Sequence, residues 1–201
     1  MVTPFMAGVG PLYLDQLWGG ISGFVIGIGL SAACGFRVIL PFLGLSLAAF
    51  YGFVEPSPGF QWMGTWPAVV AFATAAVLEI GAYYVPWMDN LLDAAATPLA
   101  VAAGTIITAS LMTDVSPFIK WSLALIAGGG VAGTVQASTA LLRGVSTLST
   151  GGTANILLAT AEVLASTLTT FLALLLPPLA FLLAASLIVW GFLRLRRRRN
   201  G

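Results

Sequence analysis

Histidine is absent from the 201 residues, and cysteine occurs once, as Cys34. Without imidazole there is no His-based acid–base catalysis, no zinc site of the His/Cys type and none of the usual haem ligation. A single cysteine cannot close an internal disulfide, so the redox compartment is not legible. Charge is also scarce. Asp, Glu, Lys and Arg make up 7% of the chain and hydrophobic residues 59%, where a soluble domain carries roughly 25% charged residues. So few charges cannot clothe a water-soluble surface. Disorder is excluded as well, because it requires low hydrophobicity and high charge. The composition leaves an all-α, polytopic integral membrane protein folded as a single transmembrane domain over 1–201.

The few charges are unevenly placed. Five of the eight cations are Arg194, Arg196, Arg197, Arg198 and Arg199, directly after an apolar stretch. A basic cluster there marks a cytoplasmic C-terminus, tail 194–201, and the expected location is the plasma membrane. The same cluster would also attract anionic lipid. Nucleic acid is not an expected partner; the lipid bilayer is. No Lys or Arg precedes the first apolar segment, which therefore lacks the charged start of a secretory signal and is read as part of the mature fold.

Six or seven hydrophobic segments are expected. Leu17 to about Val54 is interrupted only by Arg37; as one helix it would measure roughly 55 Å, too long for a core of about 30 Å. A break is expected in the small-residue run Gly27–Gly35 or at Pro41. Residues 55–66 read as a loop, with Pro56, Pro58 and Gly59 against regular structure and Trp62 and Trp66 at headgroup level. Pro67 suits the first turn of a helix reaching about Val85, and Tyr83, Tyr84 and Trp87 form an aromatic belt at its far end. Residues 88–96 look interfacial, a further helix is expected from Pro98 to Met112, and Asp114, Ser116 and Pro117 make a turn. Ile119–Leu142 is apolar but split by Gly128, Gly129, Gly130 and Gly133; Arg143 and the Ser/Thr/Gly run 144–153 read as a polar loop; Asn155–Leu175 is a helix ended by Pro177-Pro178, before a last span.

Two weakly related halves are expected, at about 17–113 and 117–195. Ala73-Thr-Ala-Ala-Val-Leu78 matches Ala159-Thr-Ala-Glu-Val-Leu164, and Pro98-Leu-Ala100 matches Pro178-Leu-Ala180. Three crossings per half would make the repeat inverted, as in many secondary transporters. Re-entrant hairpins would make it parallel. The inverted layout is preferred.

Glu79 and Glu162 are the candidate proton- or ion-binding residues. Each is expected within a spanning helix, where an acid costs about 2.5–3.5 kcal/mol on insertion scales. Such acids mark ion paths, or else anchor helices to one another. Arg37 stays charged and needs a carboxylate partner, Glu79 or Glu162, or an anionic ligand. Gln136 is its neutral counterpart in the second half. Gly35, Gly128, Gly129, Gly130 and Gly133 are candidates for unwound backbone that coordinates a solute, or for close helix packing. Asp89 and Asp93, spaced i,i+4, are a weaker candidate for a metal site, with a solvated interfacial face as the plain reading. No catalytic constellation is present: no nucleophile stands at a usable spacing from a base, and no cofactor is expected.

The motifs Ser31-Ala-Ala-Cys-Gly-Phe-Arg-Val-Ile-Leu-Pro41, Leu43-Gly-Leu-Ser-Leu47, Trp66-Pro67, Leu78-Glu79, Tyr83-Tyr84, Pro86-Trp87, Asp89-Asn90-Leu-Leu-Asp93, Ala127-Gly-Gly-Gly130 and Thr150-Gly-Gly152 resemble those of a bacterial multi-pass membrane family. That family is catalogued as a domain of unknown function (four-one-two-six). The resemblance covers about residues 20–165 and implies a multi-pass fold with no assigned activity. The expected function is a small ion-coupled transporter or channel-like permease for an ion or small polar solute, working as a monomer or homo-oligomer. The alternatives are a non-transporting scaffold or assembly factor and a lipid-handling protein.

Overall fold

The computed structural model describes residues 11–84, 86–186 and 189, and the side chains of 20–84, 95–186 and 189 among them. All the regular structure described is helical. The first apolar stretch forms α1 (Pro11–Cys34) and α2 (Ile39–Phe50). The chain leaves the helix at Gly35–Val38 and not at Pro41. Gly35 meets the second half so closely that a Cβ there would lie 2.6 Å from the Ala132 carbonyl oxygen. Pro41 falls in the first turn of α2, where a missing N–H forfeits no intrahelical bond.

α2 folds back along α1, as their contacts with α7 (Asn155–Leu175) show. Arg37 bonds to the Ala159 carbonyl, Ser166 Oγ donates to the Ala33 carbonyl, and Gly29 abuts Ala173. Gly44 of α2 abuts Thr170. α1 is thus antiparallel to α7 and α2 parallel to it, a helical hairpin with its bend beside Ala159. Residues 51–65 include one 3-10 turn, Gln61–Gly64, which Ser46 Oγ holds through the Met63 carbonyl at 2.5 Å. Pro67 then sits in the first turn of α3 (Trp66–Ala82). α3 runs back along α2 and returns the chain to the α1–α2 bend.

α4 (Pro86–Leu111) is continuous through Pro98, where the sequence led us to expect a helix start. A proline in a helix interior costs one hydrogen bond and bends the helix without having to end it. α4 packs antiparallel to α1: Gly23 abuts Leu111, Gly27 abuts Thr108, and Ser31 Oγ donates to the Gly104 carbonyl at 2.8 Å.

Two further expectations give way in the second half. α5 (Pro117–Leu123), a π-helical turn (Ala124–Gly129) and α6 (Gly130–Thr150) form one unbroken helix of 34 residues. The glycine run does not unwind. A Cβ on Gly128 would lie 2.5 Å from the Gly104 carbonyl oxygen, so the glycines let α6 and α4 approach, and the π turn absorbs the register. Residues 144–150, expected in a loop, are helical, and the turn is confined to 151–154, with Gly151 in the left-handed region at φ 64°. The hydroxyls here bond back along the helix, Ser149 to the Val145 carbonyl and Thr150 to that of Ser146, each at 2.8 Å. That is how a Ser/Thr-rich segment satisfies its polar groups without leaving the helix.

α7 ends ahead of Pro177-Pro178 as expected, and α8 follows over Pro177–Ser186. The halves therefore open differently, the first with a hairpin and the second with one long helix. Among the described residues, two helices, Pro117–Thr150 and Asn155–Leu175, are long and apolar enough to cross a membrane.

Beside its apolar clusters the bundle buries a set of polar side chains, and it exposes many large apolar ones. Ser31, Thr108, Gln136, Thr139, Arg143, Ser146, Glu162, Ser166 and Thr170 are buried, while Val77, Leu141, Leu157 and Leu175 are exposed and Leu148 is 90% exposed. On α6 and α7 the polar residues recur every three or four positions on the inward face, and most of the leucines point outward.

Candidate functional site

A layer of charge forms where the α1–α2 bend, the end of α3, α6 and α7 converge. Arg37 occupies the bend. Its guanidinium is 1% exposed. Nη2 donates to the Ala159 carbonyl at 3.0 Å and lies 3.3 Å from Glu162 Oε2. Arg143, on the inward face of α6, approaches the same carboxylate from the other side. Its Nε donates to Glu162 Oε1 at 2.9 Å and its Nη2 to Oε2. This two-point geometry is the strong form of an arginine–carboxylate pair. Glu162 is 8% exposed, so both of its oxygens are engaged away from bulk solvent.

Tyr83, just past α3, completes the layer. The guanidinium carbon of Arg37 lies 3.7 Å from its ring centroid and that of Arg143 4.6 Å, so one ring serves two cations. Tyr84 Oη and Thr160 Oγ1, 3.0 Å apart, tie the same segment to α7.

Glu79 has a different task. Its Oε1 accepts from the Val38 N–H at 2.8 Å and its Oε2 from the Ile39 N–H at 3.0 Å. The start of a helix leaves amides without partners and carries partial positive charge. Val38 stands at the N-cap of α2 with no side chain able to cap it, so α3 supplies the carboxylate. Of the two candidate partners of Arg37, the one in ion-pair contact is therefore Glu162. Glu79 lies in the last turn of α3, closer to a helix end than the sequence implied. Glu162 and Arg143 are each about two turns, roughly 10 Å, from the α6–α7 turn.

The remaining candidates are dispersed. Gly35 lies at the bend, against Val135. Gln136 is buried on α6, about two turns from Arg143 on the same face. Gly128, Gly129 and Gly133 contact α4, and Gly130 faces open space. Asp89 and Asp93 fall in the first turns of α4, and their side chains lie outside the described residues. Among the described residues, no three or more His, Cys, Asp or Glu side chains gather as a metal site would require. Two grooves mark the surface, one of about 440 Å³ between α2 and α7 and one of about 420 Å³ between α1, α6 and α8. Their linings are mainly apolar, and neither includes Arg37, Glu79, Arg143 or Glu162.

Two members of the layer were missed from the sequence. Arg143 read as part of a polar loop and Tyr83 as an interfacial belt residue. A signal for Arg143 was present: Gln136, Thr139, Arg143 and Ser146 recur at helical spacing, as a polar face on a continuous helix would require. Tyr83 carries no comparable signal.

Residues 24–197 match the family described as "Domain of unknown function (DUF4126)". The match spans well over half the sequence, and the chain belongs to that family. No curated protein and no solved structure matches it.

Proposed function

We propose that this DUF4126 member is a polytopic integral membrane protein that serves as a small permease for an ion or small polar solute. The observation that carries the reading is the buried Arg37–Glu162–Arg143 layer inside a bundle whose outer surface is apolar. Only 33% and 28% of the apolar windows of Pro117–Thr150 and Asn155–Leu175 is covered, whereas the core helix of a soluble protein is mostly covered. Large exposed apolar surface on a chain this poor in charge fits solvation by lipid. Ionisable groups within such a bundle are costly, face its interior and mark solute paths. The polar faces of α6 and α7 extend that interior along the helices. The basic tail supports a cytoplasmic C-terminus at a plasma membrane.

The geometry shifts the roles within this reading. Arg37 keeps two buried donors, Nε and Nη1, without an acceptor among the described residues, while Glu79 is committed to backbone amides, which favours an anionic solute over a cation. A second reading, a non-transporting scaffold, is favoured by the full engagement of both carboxylates and by grooves that bypass the layer.

The test uses the full chain purified into liposomes, with proton, cation and small-anion gradients imposed in turn. A permease gives flux on at least one gradient, and E162Q and R37Q change it. Absence of flux on every gradient, or flux indifferent to both substitutions, overturns the reading. If deletion of residues 194–201 abolishes function in cells while E79Q and E162Q retain it, the scaffold stands instead.

A further inference from the structure

We infer that Glu79 is a proton-operated latch on the α1–α2 hairpin: its carboxylate fastens the start of α2 to α3, and a proton on it frees that end. The latch stands on the geometry alone; its use in coupling solute movement to a proton rests on the permease reading.

The first argument is where the cap comes from. The amides of Gly35, Phe36 and Arg37 bond back to the Ser31, Ala32 and Ala33 carbonyls, so they belong to the end of α1. Those of Val38 and Ile39 open α2 and donate to the two oxygens of Glu79, at 2.8 and 3.0 Å. A helix commonly caps itself with its own Ser, Thr, Asp or Asn. Here the acceptors stand on another helix, 41 and 40 residues away along the chain. Filling or emptying this cap therefore fastens one helix to another or releases it. The far end of α2 is held separately, by Ser46 Oγ on the Met63 carbonyl.

The second argument is which acid can take a proton. Glu162 is clasped by two guanidiniums, and a proton there would strand two buried cations. Glu79 is bonded by neutral amides, is only partly buried and lies in the last turn of α3, so of the two it is the easier for water to reach. The charges that face it are Arg37 from the bend and Glu162 from α7. The buried Cys34 thiol of α1 also lies in its field. α2 and the 3-10 turn carry no ionisable group, and the side chains of Asp89 and Asp93 lie outside the described residues.

The third argument is the consequence. When a proton binds, one oxygen becomes a hydroxyl and the carboxyl loses its charge, so its attraction for the positive start of α2 falls. Arg37 immediately precedes Val38, so loosening the first turn of α2 also loosens the 3.3 Å contact between Arg37 and Glu162. A proton taken up on α3 is thereby felt in the charge layer.

The test is hydrogen exchange of the full chain in detergent from about pH 8 to about pH 4, a span that includes the ordinary glutamate range. Each amide rate is divided by the unstructured rate at the same pH. Protection at Val38 and Ile39 is expected to fall about fivefold or more on acidification, while amides in the middle of α7 keep theirs. E79Q, neutral at every pH, is expected to show low protection at the bend throughout. Protection at Val38 and Ile39 that acidification leaves unchanged, or that falls as much in E79Q as in the wild type, overturns the inference. The first of these outcomes needs only the wild type, so the test survives if E79Q does not fold. A pH-dependent bend without flux on any gradient keeps the latch and sinks the permease. Flux with a bend indifferent to pH does the reverse.

Discussion

Replacing Glu162 by glutamine removes one charge from a buried cluster and leaves two guanidiniums facing a neutral amide. In the native protein that carboxylate takes two charge-assisted contacts from Arg143 and lies 3.3 Å from Nη2 of Arg37. Deleting one partner of a buried pair costs about 3–5 kcal/mol, because the other is left uncompensated. For a chain of this length a kilocalorie shifts the midpoint by about 2–4 °C, so E162Q should melt roughly 6–20 °C below the wild type. Thermal unfolding of the full chain in one detergent measures this directly. The double substitution R143L/E162L removes both partners of the tightest pair. It should cost less than the two single changes added together, since neither charge of that pair is left stranded and only Arg37 loses its carboxylate. A fall of less than about 2 °C for E162Q would refute the reasoning: it would mean that water reaches the carboxylate and the clasp is not sealed.

Other substitutions probe the supporting parts. E79A uncaps α2 and should cost about 1–2 kcal/mol, with faster hydrogen exchange at the Val38 and Ile39 amides; E79Q, which keeps one acceptor, should cost less. Y83L removes the ring that both arginines cover and should cost about 1–2 kcal/mol in thermal unfolding. G128V forces α6 off α4 and should destabilise by about 1–3 kcal/mol, whereas G130A, in open space on a helix, should stabilise by up to about 1 kcal/mol in the same assay.

The fold was legible where punctuation and packing agree. Pro67, Asn155 and Pro177 each stand where a local rule and the bundle want the same thing, and the helices start or stop there. The sequence misled where a local rule lost to packing. Gly128–Gly130 is a poor helix by propensity, yet Gly128 and Gly129 lost to larger residues would cost the contact with α4, so the helix persists. The Ser/Thr run before Gly151 suggested a loop because those hydroxyls compete with backbone bonds in water. Here they bond back along the helix and leave its outer face to leucine. Pro98 was overridden in the same way. As for the site, Arg37 and Glu162 were found from solvation cost, a property of single residues. The division of labour between the two glutamates was not, because only the α1–α2 hairpin decides that Glu79 meets the amides of α2 while Glu162 meets the arginines.

The whole account depends on an inverted bundle with hydrocarbon outside and charge inside. Its most direct test is the accessibility of spin labels placed one at a time on α6 and α7, in a full-length background with Cys34 replaced by alanine and the protein reconstituted in a bilayer. Labels at Leu141, Leu148, Leu164 and Leu168 should be reached by oxygen, which partitions into lipid, and not by a water-soluble nickel chelate; labels at Ser146 and Ser166 should be shielded from both. If the leucine positions are reached by the nickel reagent as freely as an exposed loop, the outer surface faces water and the account is contradicted.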